Sequence, residues 1–214
     1  MFQNRNDAGS RLSSRLLQYK DRPDVMVLAL PRGGVVTGYE IAHALNVPLD
    51  VLIVRKLGFP GQPELALGAV AETGTVILNE DIVKEGSVSG AFIKSEIERQ
   101  KEEIARRVVL YRSGKRLPDL SGTVVILADD GVATGATIKA AISALKEQKV
   151  KKLVVALPVG PPGTMKALRQ MVDELICLET PLSFMAVSAH YLDFAQVSDD
   201  EVVDILQRIS AKAA

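Results

Sequence analysis

Five short runs of Val, Ile and Leu constrain what this chain can fold into. "DVMVLAL" (24–30), "PLDVLIVRK" (48–56), "TVVILAD" (123–129) and "KLVVALPV" (152–159) are continuously apolar, and "ELICLE" (174–179) is a weaker fifth. A strand with one wet face alternates apolar and polar residues, whereas an unbroken apolar run belongs to a strand covered on both faces. Helical patterns near 34–46, 135–148 and 161–172 lie between several of the runs. The alternation predicts an α/β fold: a doubly wound, mostly parallel sheet with right-handed crossovers. Such sheets bind ligands at the carboxyl ends of their strands.

Residues 58–90 break the rhythm. "GFPGQPELALGAVAETG" is rich in Pro and Gly, which predicts a mobile loop leading to a small hairpin or strand pair. The segment 90–113, within "AFIKSEIERQKEEIARRVVLYRSGKR", reads as a long inserted helix with Ile93, Ile97, Ile104, Val108 and Tyr111 on one stripe. Glu102/Arg106 and Glu103/Arg107 are i,i+4 pairs in the favourable order. Its basic end (Arg106, Arg107, Arg112, Lys115, Arg116) suits either a phosphorylated ligand or the helix dipole and solvent.

The 214 residues, 47% apolar and 24% charged, suit one α/β domain (1–214) with a modest appendage. A formal net charge of zero gives no global field for nucleic acid or a membrane surface, and neither is expected as a partner. No apolar run approaches the ~20 residues of a membrane span, and the charged first twenty residues do not read as a secretory leader. The single Cys177, within "ELICL", reads as a buried small side chain and fits a reducing cytoplasm.

The chemistry concentrates in "VVILADDGVATGATIKAA" (124–141), where a strand runs into two adjacent carboxylates, a loop of small residues and a helix. Backbone N–H groups and the helix dipole favour a dianion, with Thr134 and Thr137 adding hydroxyls. Neither a Walker Gly-Lys-Ser/Thr nor a G-x-G-x-x-G fingerprint is present. Carboxylates only accept hydrogen bonds, so Asp129 and Asp130 suit vicinal hydroxyls, as on a ribose whose far end carries the phosphate.

The run "ILADDGVATGAT" resembles the phosphoribosyl-diphosphate (PRPP) motif of type I phosphoribosyltransferases. The resemblance implies that family's fold with a small hood over 181–214, and Asp129 and Asp130 on the ribose hydroxyls. It sets Ala133, Thr134, Gly135, Ala136 and Thr137 around the 5′-phosphate, with Ala136 where many members have Gly. "ALPRGGVVTGYEIAHAL" (29–45) matches the pyrophosphate loop, often built on an unusual peptide, with Arg32, Gly33 and Gly34 as donors. Arg55 and Lys56 match a basic position aimed at the pyrophosphate, and 58–72 falls where the family keeps a flexible lid. The lid lacks the Ser-Tyr pair of several nucleotide-salvage members, and Glu64 and Glu72 are its acidic candidates. In the hood, Phe184 is a candidate to stack on a base, and Tyr191 or Asp193 to read its edge. His43 reads as structural, while His190 beside Tyr191 stays open.

The implied activity is Mg²⁺-dependent transfer of ribose 5-phosphate from PRPP to a nitrogenous acceptor, a nucleobase by expectation. A dedicated metal-ligand set is not expected, because Mg²⁺ keeps several waters. Implied partners are PRPP or a ribonucleotide 5′-monophosphate and pyrophosphate, with a homodimer left open. A non-catalytic PRPP or nucleotide sensor of the same fold is the alternative, and another α/β phosphate enzyme is the more distant one. Asp130→Asn is expected to weaken ribose-phosphate binding at a stability cost within about 1 kcal/mol, as loop substitutions usually are.

Overall fold

The two central strands of the main sheet carry the loops that matter most. In the computed structural model, which describes residues 1–211, β1 (Val25–Ala29) lies beside β6 (Val124–Ala128) in parallel register, Ala29 opposite Ala128. The side chains of Pro63, Glu64 and Ser210 lie outside the described residues, and with them the Glu64 candidate. The sheet runs β2 (Leu49–Val51), β1, β6, β7 (Lys152–Val159), β8 (Glu174–Glu179), all parallel. Chain order reverses between β1 and β6, so the loops after them open side by side at the switch point, where a ligand crevice forms.

Every residue of β6 is buried, as its unbroken apolar run demanded. One face packs with α1 (Arg5–Ser13), α2 (Gly33–Leu45) and α7 (Asp199–Ser210), through Leu12, Ile41, Ile126 and Val202. The other packs with α5 (Ala136–Glu147) and α6 (Pro162–Arg169), through Leu127, Ile142, Leu145 and Leu168. Among the described residues, no helix is long and apolar enough to cross a membrane.

The second apolar run divides. β2 ends at Val51, and β3 (Val54–Phe59) joins a separate antiparallel sheet with β4 (Gln62–Ala71) and β5 (Val76–Leu78). The segment 58–72, expected as a lid loop, is thus largely strand, turned at Pro60–Gly61. Gly61 has φ 75°, a left-handed conformation that Pro-Gly turns supply. Helix α3 (Glu80–Glu85) follows, then the long α4 (Gly90–Arg112).

Helix α4 braces the hairpin. Gln100 Oε1 accepts from Arg55 Nε at 3.0 Å, and Glu96 Oε1 from the Gly58 amide at 3.4 Å. Most of its basic end is used within the molecule. Glu103 takes both Arg106 and Arg107, which holds its carboxyl down at about 2. Arg106 also reaches Asp199 at 3.3 Å, and Arg112 is buried against Glu72. The expected Glu102/Arg106 pairing gives way to Glu103, one turn away from both arginines.

Candidate functional site

The acids are held from three directions. Asp130 Oδ2 accepts from Arg5 Nε at 2.6 Å, with both side chains largely buried. Asp129 Oδ1 accepts from the Asp130 amide at 2.9 Å, and the Asp130 carbonyl accepts from the Tyr191 hydroxyl at 2.5 Å. Burial pushes the Asp129 carboxyl well above the usual range, and the neighbouring Asp130 charge adds to the shift. Asp130 is also raised by burial, against which Arg5 works. Each acid is easier to protonate than in water until something cationic or donor-rich meets it.

The Gly33–Gly34 turn is cut to fit this pair. A Cβ on Gly33 would sit 1.9 Å from Asp130 Oδ2 and 2.7 Å from Arg5 Nε. A Cβ on Gly34 would sit 2.9 Å from the Asp129 Cα and 3.0 Å from the Ala128 carbonyl oxygen. Only glycine lets the first crossover approach the acids this closely. The preceding Pro31–Arg32 peptide is cis, an unusual peptide of the kind the resemblance implied.

Beside the acids, a cavity of about 230 Å³ is lined by Asp129, the whole run 131–138, Lys56 and Val187. Gly135 caps α5 at φ 83°, and Thr164 Oγ1 donates to the Ala133 carbonyl at 2.7 Å, bracing the loop from α6. The cavity therefore joins the expected phosphate-loop residues Ala133, Thr134, Gly135, Ala136 and Thr137 to one acid and one cation. Lys56 is exposed there, with no ion-pair partner among the described residues.

Four expected residues sit differently. Arg55 points away from this cavity, because neighbours on a strand face opposite sides. It is half-buried against α4, where burial and the nearby Arg107 lower its pKa. Tyr191 is buried among Phe2, Ala8 and Val159 with its hydroxyl committed to Asp130, so it fastens the hood instead of presenting an edge to an acceptor. Phe184 stacks on His190 at 5.4 Å, which occupies one ring face and gives His190 a partner. Asp193 accepts from the Ala195 amide and lines a second cavity, of about 280 Å³, with Asn4, Arg5, Tyr39 and Glu201. Arg32 caps the start of α2, and its Nη1 lies 3.9 Å from Asp199 Oδ1. His43 stacks on Tyr39, and Glu72 accepts from the Ile53 amide and from Arg112.

Sequence reasoning missed Arg5. It stands in a polar, Gly- and Ser-containing segment whose partner lies 125 positions further on. No local pattern could have paired them.

The family model of the phosphoribosyl transferase domain matches residues 2–194. A Mycobacterium tuberculosis protein named as a "putative phosphoribosyl transferase" is 44% identical over 208 residues, covering 97% of this chain and 47% of its own length. The chain thus spans about half the length of the curated relatives it matches. The crystal structure of TT1426 from Thermus thermophilus aligns with a TM-score of 0.81 at 38% identity, over 97% of this chain and 98% of that one. The AQ2163 protein from Aquifex aeolicus shares the fold alone, with a TM-score of 0.50 at 13% identity over 81% of this chain and 73% of that one. With the family model over nearly its whole length and the acid pair at the switch point of the sheet, this chain belongs to the phosphoribosyl transferase domain family.

Proposed function

We propose that the chain transfers ribose 5-phosphate from PRPP to a nitrogenous acceptor, releasing pyrophosphate. The observation that carries this reading is the junction of a small-residue loop at a helix N-terminus with a buried acid pair and an exposed lysine. The loop amides and the hydroxyls of Thr134 and Thr137 hold the 5′-phosphate. Asp129 and Asp130 accept hydrogen bonds from the ribose hydroxyls. Lys56 and the 31–34 loop take the pyrophosphate. The C1–O bond to pyrophosphate breaks as the C1–N bond forms, and the acceptor nitrogen gives up its proton. Positioning and charge stabilisation supply the catalysis, so a covalent nucleophile is not needed.

Mg²⁺ fits the donor set. Asp129 is a buried carboxylate with no ion-pair partner among the described residues, and its raised pKa marks a site short of positive charge. Mg²⁺ takes most of its ligands from substrate and water, so two carboxylates suffice on the protein side. Asp129 and Asp130 would hold it with the ribose, and when bound it neutralises charge developing on the pyrophosphate.

Calorimetric titration with PRPP and Mg²⁺, followed by a pyrophosphate-release screen over nucleobases and other amines, tests the proposal. No PRPP binding at millimolar ligand defeats it; binding without release across the panel favours a PRPP-binding regulator. Lys56→Ala should reduce pyrophosphate release by about 100-fold, the scale for losing one charge-stabilising group. Arg55→Ala should leave release within about 3-fold while lowering stability through its lost contact with α4. Equal losses for both would show that the two faces of β3 are not divided in this way.

A further inference from the structure

We infer that Arg5 is a positioning residue for phosphoribosyl transfer: it fixes Asp130 in its ribose-binding orientation and locks the hood to the acid loop in one contact. The inference rests on the role given above to the acid pair. Its geometry is independent of that role.

The Arg5 guanidinium makes three contacts on different elements. Nε donates to Asp130 Oδ2 at 2.6 Å, Nη1 donates to the Ala195 carbonyl at 2.7 Å, and Cζ lies 3.7 Å from the centroid of the Phe194 ring. Ala195 and Phe194 belong to the hood, and Asp130 to the loop after β6. Arg5 itself stands in the first turn of α1, behind the Asn4 cap that accepts from the Asp7 amide. Backbone pairing extends the same join. The Phe2 amide donates to the His190 carbonyl, and the Leu192 amide donates back to Phe2, each at 2.8 Å. The closeness of Gly33 leaves room for one arrangement of the Arg5–Asp130 pair, since any Cβ there would fall on both partners.

A planar guanidinium can bind the acid, the carbonyl and the ring together; an ammonium can satisfy one of them at a time. Arg5 thereby leaves one Asp130 oxygen uncommitted to the ion pair. Several charged or titratable groups bear on Asp130. Arg5 reaches it from α1, Asp129 from the same loop and Tyr191 from the hood, while Lys56 on β3 lines the cavity with Asp129. Of these, Arg5 is the cation in direct contact with the Asp130 carboxyl. Removing it releases the Asp130 carboxyl, and the free oxygen then has no fixed direction towards the crevice.

A purely mechanical clamp and a positioning residue differ in which ligand feels the loss. In folded Arg5→Met, PRPP·Mg²⁺ affinity should fall by about 30-fold, the scale for losing a partner that orients a ligating group. Affinity for inorganic phosphate, which needs the 133–137 loop and no ribose contact, should stay within about 3-fold of the wild type. Unchanged PRPP·Mg²⁺ affinity, or an equal loss for both ligands, overturns the inference. Should Arg5→Met not fold, Arg5→Lys is read by the same two criteria. A wild type that binds phosphate and no PRPP defeats the transferase reading and with it the inference, whereas wild-type PRPP binding that Arg5→Met leaves intact defeats the inference alone.

Discussion

Asp129→Asn and Asp130→Asn should each weaken PRPP binding by about 100-fold or more, the scale for removing one buried, hydrogen-bonded charge, yet move stability in opposite directions. Asp129 has a raised pKa because burial penalises its charge and the neighbouring Asp130 charge adds to the shift, which Arg5 offsets only in part. The native state therefore holds that proton more tightly than the unfolded chain does. Stability falls as pH climbs from the ordinary carboxylate value of about 4 towards the raised one, and the loss is complete above it. Asparagine removes the titration and keeps an oxygen for the Asp130 amide. Its midpoint at neutral pH should rise by about 2–4 °C, the shift expected for roughly 1 kcal/mol in a chain of this size.

Asp130→Asn removes a carboxylate whose ionisation burial also opposes, but it strips the counter-charge from Arg5, whose side chain is 11% exposed, and that loss is expected to prevail. Breaking a buried ion pair from one side costs about 3–5 kcal/mol, and less where a hydrogen bond survives. A loss of about 2 kcal/mol, or 4–8 °C, is expected. The mild effect anticipated for a surface-loop change is thereby corrected, because the loop acid is half of a buried pair. With no Trp in the chain, calorimetry is the suitable readout. Destabilisation of similar size in both variants would refute the assignment of unpaired charge to Asp129.

The second large effect is at the first crossover. Gly33→Ala should abolish PRPP binding, again by about 100-fold or more, while the fold survives. The new methyl collides with the tip of the Asp130 side chain, which can swing aside at the expense of its contact with Arg5 and its place in the site. Alanine inside a helix also recovers about 1 kcal/mol of propensity over glycine, offsetting part of the strain. Gly34→Ala meets backbone, at Asp129 Cα and the Ala128 carbonyl, and backbone at the end of a central strand cannot move alone. Its loss should appear first in thermal stability, by several degrees. Paired melting and binding curves separate the two, and a Gly33→Ala protein that binds PRPP normally would show that the close approach is incidental.

The doubly wound sheet was readable because buried parallel strands carry their signal in contiguous residues, as in β6 and β7. The phosphate loop was readable for the same reason: Asp129 to Thr137 is one uninterrupted stretch. What escaped depended on distance or on facing. Arg5 meets its partner across most of the chain, and α1, "RNDAGSRLS", has too little apolar periodicity to announce a helix. Arg55 and Lys56 were indistinguishable as adjacent cations until the pleat of β3 sent one to α4 and the other to the cavity. The split of the second apolar run also needed the third dimension, since Leu52 and Ile53 are buried between strands of two different sheets. Tyr191 looked like a reader of ligands because its hydroxyl can both donate and accept; its burial and the path of that hydroxyl belong to tertiary structure alone.

The join between the first residues and the hood bears on how the molecule comes into being. Phe2 bridges to Tyr191, and Arg5 reaches Ala195 across 190 positions, among the longest loops this chain can close. Closure of such loops is entropically expensive and follows local structure in time. During synthesis, β1 through β7 can assemble with α1 packed on α2, while the hood that completes the join is still missing. The acid loop would then exist before its clamp, as an unfinished crevice. Maturation of the site is thus expected late in folding, and a chain interrupted before the hood should be compact yet inert.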